Sequence, residues 1–237
     1  MRRLLLCALA AAASLAGTAS SAQSLNVDLD TLFGPRSLGI GTPTDAFGAA
    51  ADQPGFWNLV SATGPGPRPL YTLGGGWTPA TYRTWGGYGS GGAWQNPRRF
   101  TFGEANDDFW MLMGDAGRTG VVGVSHQLFP PVPVRVILFE GLEPGLYEVY
   151  TYCVAPYEDR YVPVEVTVPG ALTENPQLST GRMPPDWQFR RGITHAVHRV
   201  WCIDGVIEVE VLAPSNPQYW PHSYVNGLQL KKLKKLK

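Results

Sequence analysis

Apolar and polar residues alternate in short runs along this chain, most regularly in its last third. Gly141-Leu-Glu-Pro-Gly-Leu-Tyr-Glu-Val-Tyr-Thr-Tyr152, His195-Ala-Val-His-Arg-Val-Trp-Cys202 and Val206-Ile-Glu-Val-Glu-Val211 step between the two classes with a period of two. That period belongs to half-buried antiparallel strands. Further strands are predicted at 24–29, 69–73, 132–139, 146–154, 161–168 and 223–230. The intervening stretches 34–56, 74–103, 169–192 and 213–222 are rich in Gly, Pro and aromatics and read as loops. Residues 108–113 fit either a strand or one helical turn. No repeat or linker divides the chain. The predicted fold is all-β, a single jelly-roll-like antiparallel β-sandwich over residues 23–230.

One turn invites a sharper reading. Asp204-Gly205 is a favoured two-residue hairpin turn, so residues 193–212 are expected to fold back as a hairpin pairing Cys202 with Ile207, Val200 with Val209 and Arg199 with Glu210. Its inward face is then apolar, His198 points inward and His195 outward. Applied to 146–154, the same alternation points Val149 and Cys153 inward and Glu148 outward.

The first 22 residues change the compartment. Met1-Arg-Arg precedes an apolar run from Leu4 to Ala16, and Ala19-Ser-Ser-Ala22 offers small residues for cleavage. This is the organisation of a secretory signal peptide (1–22), too short to span a bilayer, which takes about 20 apolar residues. No later segment is a predicted transmembrane span, so the mature chain is expected to be secreted, periplasmic or held at the cell surface. Two cysteines, Cys153 and Cys202, remain after cleavage. In an exported protein they are expected to form a disulfide, the alternative being two buried thiols.

Charge is uneven although the total is zero. Twelve arginines against nineteen carboxylates leave residues 23–230 at a net −7, while all five lysines lie in the tail 231–237. The acidic body argues against nucleic-acid binding. The Lys-rich tail can touch anionic surfaces or the acidic body itself.

Several pieces together resemble a known group. Asn26-Val-Asp-Leu29, Phe47-Gly-Ala-Ala-Ala-Asp-Gln-Pro-Gly-Phe-Trp-Asn58, Gly141 to Tyr150, Gly192-Ile-Thr-His-Ala-Val-His198 and Tyr224-Val-Asn-Gly-Leu-Gln-Leu230 resemble exported bacterial proteins with a galactose-binding-domain-like or malectin-like jelly roll. The resemblance spans nearly the whole mature chain. It implies the fold and, since such folds are often carbohydrate-binding modules, a binding role. It carries over no catalytic residue.

The aromatic set is the best functional signal in the residues themselves. Sugars stack their C–H faces on Trp and Tyr while polar neighbours orient the hydroxyls. Trp77, Trp85, Tyr88 and Trp94 lie in a Gly-rich stretch, and Trp187, Tyr219 and Trp220 in Pro-rich loops, where function usually sits. The competing reading is that these rings cap the ends of the core. Glu104, Asp107, Asp108 and Asp115 form the densest acidic cluster. Asp107 and Asp108 are the candidates for a structural Ca²⁺, the one cofactor considered. A solvated loop or a turn cap is the simpler account. His195 and His198, three apart on a strand, face opposite ways and cannot readily share a metal. Gly87-Tyr-Gly-Ser-Gly-Gly92 matches a dinucleotide fingerprint but lacks the strand and helix that would give it meaning. The reading from sequence is a non-catalytic binding module for extracellular or cell-surface carbohydrate, through rim aromatics. The alternatives are a structural surface or matrix protein that binds other proteins, and a polysaccharide-active hydrolase or lyase using the 104–115 carboxylates.

Overall fold

Alternation builds most of what is seen. The computed structural model describes residues 23–30, 42–61, 66–85, 107–113, 117–120, 133–154, 163–182, 184–212 and 222–233. In chain order the elements are β1 (Leu25–Asp30), β2 (Trp57–Ser61), β3 (Arg68–Tyr71), β4 (Trp77–Trp85), α1 (Asp107–Met113), β5 (Gly117–Gly120), β6 (Pro133–Glu140) and β7 (Gly145–Tyr152). They continue with β8 (Val164–Thr167), β9 (Gln177–Ser179), β10 (His195–Cys202), β11 (Ile207–Leu212), β12 (His222–Val225) and β13 (Gly227–Lys232). The structure is a β-sandwich. A five-stranded sheet, β10-β7-β13-β1-β2, packs on a six-stranded one, β3-β4-β6-β11-β8-β9, and β12 and β5 form a small third pair. Leu25, Val27 and Leu29 of β1, Tyr147 and Val149 of β7, Ile137 and Phe139 of β6 and Val209 and Val211 of β11 meet in the core between the sheets. Among the described residues no helix is long and apolar enough to cross a membrane.

Four expectations need correction. The 193–212 hairpin does not form: β10 pairs with β7, whereas β11 pairs with β6 and β8 in the other sheet. Asp204-Gly205 is instead the corner where the chain crosses between sheets, with Gly205 at φ +82° and its carbonyl accepting from Leu142 N–H at 3.0 Å. Val200, Cys202, Ile207 and Val209 are all buried, as alternation requires, but they face one another across the core. Arg199 consequently pairs with Glu148, its partner on β7, at 2.8 Å and not with Glu210. The disulfide falls for the same reason. Cys202 sits opposite Gly145, and Cys153 follows Tyr152 at the far end of that strand. Eight residues of strand put them about 26 Å apart, where a bridge needs Cα atoms within roughly 7 Å. Both are buried free thiols.

The other two concern extent and burial. β4 is a nine-residue strand where loops were expected. Its inward positions are Thr78, Ala80, Tyr82 and Thr84, and both of its tryptophans point out, which inverts the usual code. His195 does not face solvent: it is buried among Tyr150, Tyr152 and Phe189. A third layer covers that face of the five-stranded sheet. Phe47, Trp57, Phe109, Leu112, Met113, Trp187 and Phe189 form a second apolar cluster on Tyr152. One pair also departs from the antiparallel rule. β1 and β2 run parallel. β13 extends two residues into the lysine run, with Lys232 hydrogen-bonded to Glu143 at 2.6 Å.

Candidate functional site

β2 is the last strand of one sheet and β3 the last strand of the other, so an open seam separates them. Asn58 closes it. Its Oδ1 accepts from Tyr71 N–H at 2.7 Å and its Nδ2 donates to Tyr71 C=O at 2.9 Å, with a second bond to Asn26 C=O at 3.0 Å. The carboxamide therefore does for the edge of β3 what a neighbouring strand would do. Above this stitch lies a groove of about 490 Å³, open to solvent, lined by Thr42, Asp45, Phe56, Leu59, Arg68 and Tyr71 among others. Phe56 is anchored by its N–H to Leu73 C=O at 2.7 Å. It meets Tyr71 edge-on, with ring centroids 5.7 Å apart. Trp77 is the cross-strand partner of Tyr71 and is 70 % exposed. The site thus offers three adjacent aromatic rings, an exposed guanidinium and an exposed carboxylate. Apolar faces beside directional donors and acceptors suit a polyhydroxylated ligand.

The aromatic residues singled out in the sequence scatter. Trp77 stands opposite Tyr71, one of the groove's lining residues, on β4. Trp85 is exposed at the other end of β4, on the same face. Trp187, at φ +56°, packs edge-on against Phe109 at 5.9 Å and belongs to the second apolar cluster. Tyr88, Trp94, Tyr219 and Trp220 lie outside the described residues, as do the signal segment 1–22 and the end of the lysine tail. Asp107 begins α1, and its side chain is also outside them. Asp108 caps a loop: its two carboxylate oxygens accept from Thr44 N–H at 2.6 Å and Thr44 Oγ1 at 2.7 Å. Among the described residues no three His, Cys, Asp or Glu side chains gather as a metal site would need. Burial, helped by the nearby Arg191, pushes both His195 and His198 down to about 4, so both are neutral at pH 7.

Phe56, Tyr71, Arg68 and Asp45 were not singled out in the sequence. The available signal was Pro69-Leu-Tyr-Thr-Leu73, where alternation with Leu70 inward leaves Tyr71 outward on an edge. The segments that carry the family resemblance turn out to hold a buried amide network. Gln53 and Gln229 both donate to Asn26 Oδ1 at 2.8 Å, Gln229 Oε1 accepts from Ala51 N–H at 3.2 Å and from the Tyr152 hydroxyl, and Ala50 N–H donates to that hydroxyl at 3.0 Å. These residues fix the 44–56 segment on the sheet, and so serve the fold.

No family model matches the chain, nor does any curated protein. Two solved structures are similar: a crystal structure of the plant receptor-like kinase ANX2, at 11 % identity and TM-score 0.40, and one of the ANX2 ectodomain from Arabidopsis thaliana, at 12 % and 0.39. Each comparison covers 91 % of this chain, which spans about half the length of those chains, 48 % and 50 % respectively.

Proposed function

We infer that the chain is an exported, non-catalytic carbohydrate-binding module whose primary site is the groove between β2 and β3. The observation that carries this reading is the aromatic set of half-buried Phe56 with exposed Tyr71 and Trp77, beside Arg68 and Asp45, on an edge held by Asn58. The rings take the C–H face of a sugar, and Arg68 and Asp45 orient its hydroxyls. The charged and apolar segment 1–22, organised like a signal peptide, supports the exported part of this reading.

The test is titration of the mature protein with a panel of soluble glycans, followed by tryptophan and tyrosine fluorescence, with product release monitored alongside. Saturable binding without turnover is expected. Tyr71→Ala and Trp77→Ala should each weaken it by three- to tenfold, the effect of about 0.5–1.5 kcal/mol per stacked ring. Folded protein that binds no glycan overturns the reading. A second reading, recognition of another protein, is favoured by one observation: Trp201, Ile203 and Val206 are 50, 79 and 38 % exposed around the β10–β11 corner.

A further inference from the structure

The outer face of the six-stranded sheet carries a second set of features that the groove does not use. On β4 the outward residues run Trp77, Pro79, Thr81, Arg83, Trp85; on β6 they are Val136, Leu138 and Glu140; on β11 they are Glu208, Glu210 and Leu212. The ladder registers align them in rows. Trp85 faces Val136, which faces Glu210, and Arg83 faces Leu138, which faces Glu208. Val136 and Leu138 are therefore the floor of a shallow trough, Trp85 forms one wall and two carboxyl groups form the other. The walls are two strand spacings apart, roughly 10 Å. Arg83 is occupied by Glu140, at 2.7 Å. Among the described residues no cation pairs with Glu208 or Glu210. The two side chains lie two residues apart on the same face of β11, and partial burial together with the charge of Glu208 holds the Glu210 carboxyl above its ordinary range.

We propose that this face binds a chain of amino sugars, the ammonium groups lying on Glu208 and Glu210 and a pyranose ring on Trp85. The proposal rests on the carbohydrate reading above and specifies its ligand. Charge complementarity selects the occupant. An anionic glycan would add to the repulsion between the two carboxyl groups, a neutral one would leave it, and an ammonium relieves it by setting an opposite charge beside them. Trp85 requires the cation to arrive on something with an apolar ring face. Trp77 lies eight residues away on the same face of β4, so that face is long enough for an extended chain rather than a single terminal sugar.

The experiment compares a glucosamine oligomer with its N-acetylated counterpart by calorimetry on the mature chain. The glucosamine oligomer should bind about fivefold more tightly, the value of roughly 1 kcal/mol for a partly exposed ion pair. Its advantage should shrink with salt. The double substitution Glu208→Gln, Glu210→Gln should abolish the preference. Trp85→Ala should weaken both chains. Equal affinity for the two oligomers, or a preference that survives the double substitution, overturns the proposal and leaves the carbohydrate reading standing. A lysine homopolymer that binds as tightly as the glucosamine chain also overturns it, since the face would then be a site for polycationic protein. Failure to bind any glycan removes both.

Discussion

His195 and His198 sit three positions apart on β10 and are buried on opposite faces, one in the second apolar cluster and one in the core. An unfolded imidazole takes its proton near pH 6.5, whereas these two refuse it until about pH 4. The unfolded state therefore binds more protons in between. Their contribution to stability is complete above pH 6.5 and is lost as the pH falls towards 4. The melting temperature should drop across that window, and a His195→Gln, His198→Gln variant, less stable overall, should show a shallower drop. Glu210 has the opposite sign. Its raised carboxyl favours the fold at low pH and loses that advantage as the pH rises through its folded value. Glu210→Gln should raise the melting temperature more at pH 7 than at pH 4. Gly227 is a packing constraint: a Cβ there would stand 2.6 Å from Val27 C=O and 2.7 Å from Leu112 Cδ1. Gly227→Ala should cost about 2 kcal/mol in chemical denaturation, by forcing α1 off β13.

Carboxamides stand in for missing strands at the level of elements. Asn58 reads both backbone groups of Tyr71, Gln177 those of Val197, Asn175 those of Val168 and Asn226 those of Val154. The Asn58 and Gln177 pairs join the terminal strands of the two sheets, β2 to β3 and β9 to β10, at the two open seams of the sandwich. Edges that would otherwise invite another chain are thus internally satisfied. Asn58→Asp removes the donor to Tyr71 C=O and Asn26 C=O and sets a charge against both. It should cost about 2–3 kcal/mol, the price of buried carbonyls left unpaired, and should weaken glycan binding by loosening Tyr71. Circular dichroism melts read the first effect and titration the second. Asn58→Gln, which keeps both functions but not the reach, should fall between.

The described residues form three layers, not two. The second apolar cluster holds the 44–56 segment, α1 and the 187–189 loop against the five-stranded sheet, whereas β4 of the six-stranded sheet keeps Trp77 and Trp85 exposed. No covalent link between Cys153 and Cys202 supports this arrangement. Burial raises both thiols, Cys153 well above its usual range, which keeps them protonated and unreactive in the fold. The melting temperature of the mature chain should be the same with and without a thiol reductant. Alkylation should label Cys153 and Cys202 only after denaturation, and a mass shift of one disulfide in the unreduced protein would contradict the arrangement.

Alternation within each segment was enough to place β1, β6, β7, β8, β10, β11 and β13 and, on β7, β10 and β11, to name inward residues, because burial of one strand face is a local demand that every segment meets by itself. It failed at β4, where Thr and Ala face the core and Trp faces out, and at β2, which follows a run of Gly, Ala and Pro without a clear period. Which strands pair was decided only by the tertiary structure. Val200 and Val209 bury the same faces whether they lie side by side or look at each other across the core, so the pattern is identical for a hairpin and for a corner. The disulfide expectation inherited that ambiguity, since inward-pointing cysteines meet only if their strands are in register. The candidate groove was illegible for a related reason. Phe56, Arg68 and Tyr71 come from the edges of two different sheets, and their proximity depends on how those edges meet, which no single stretch of sequence encodes.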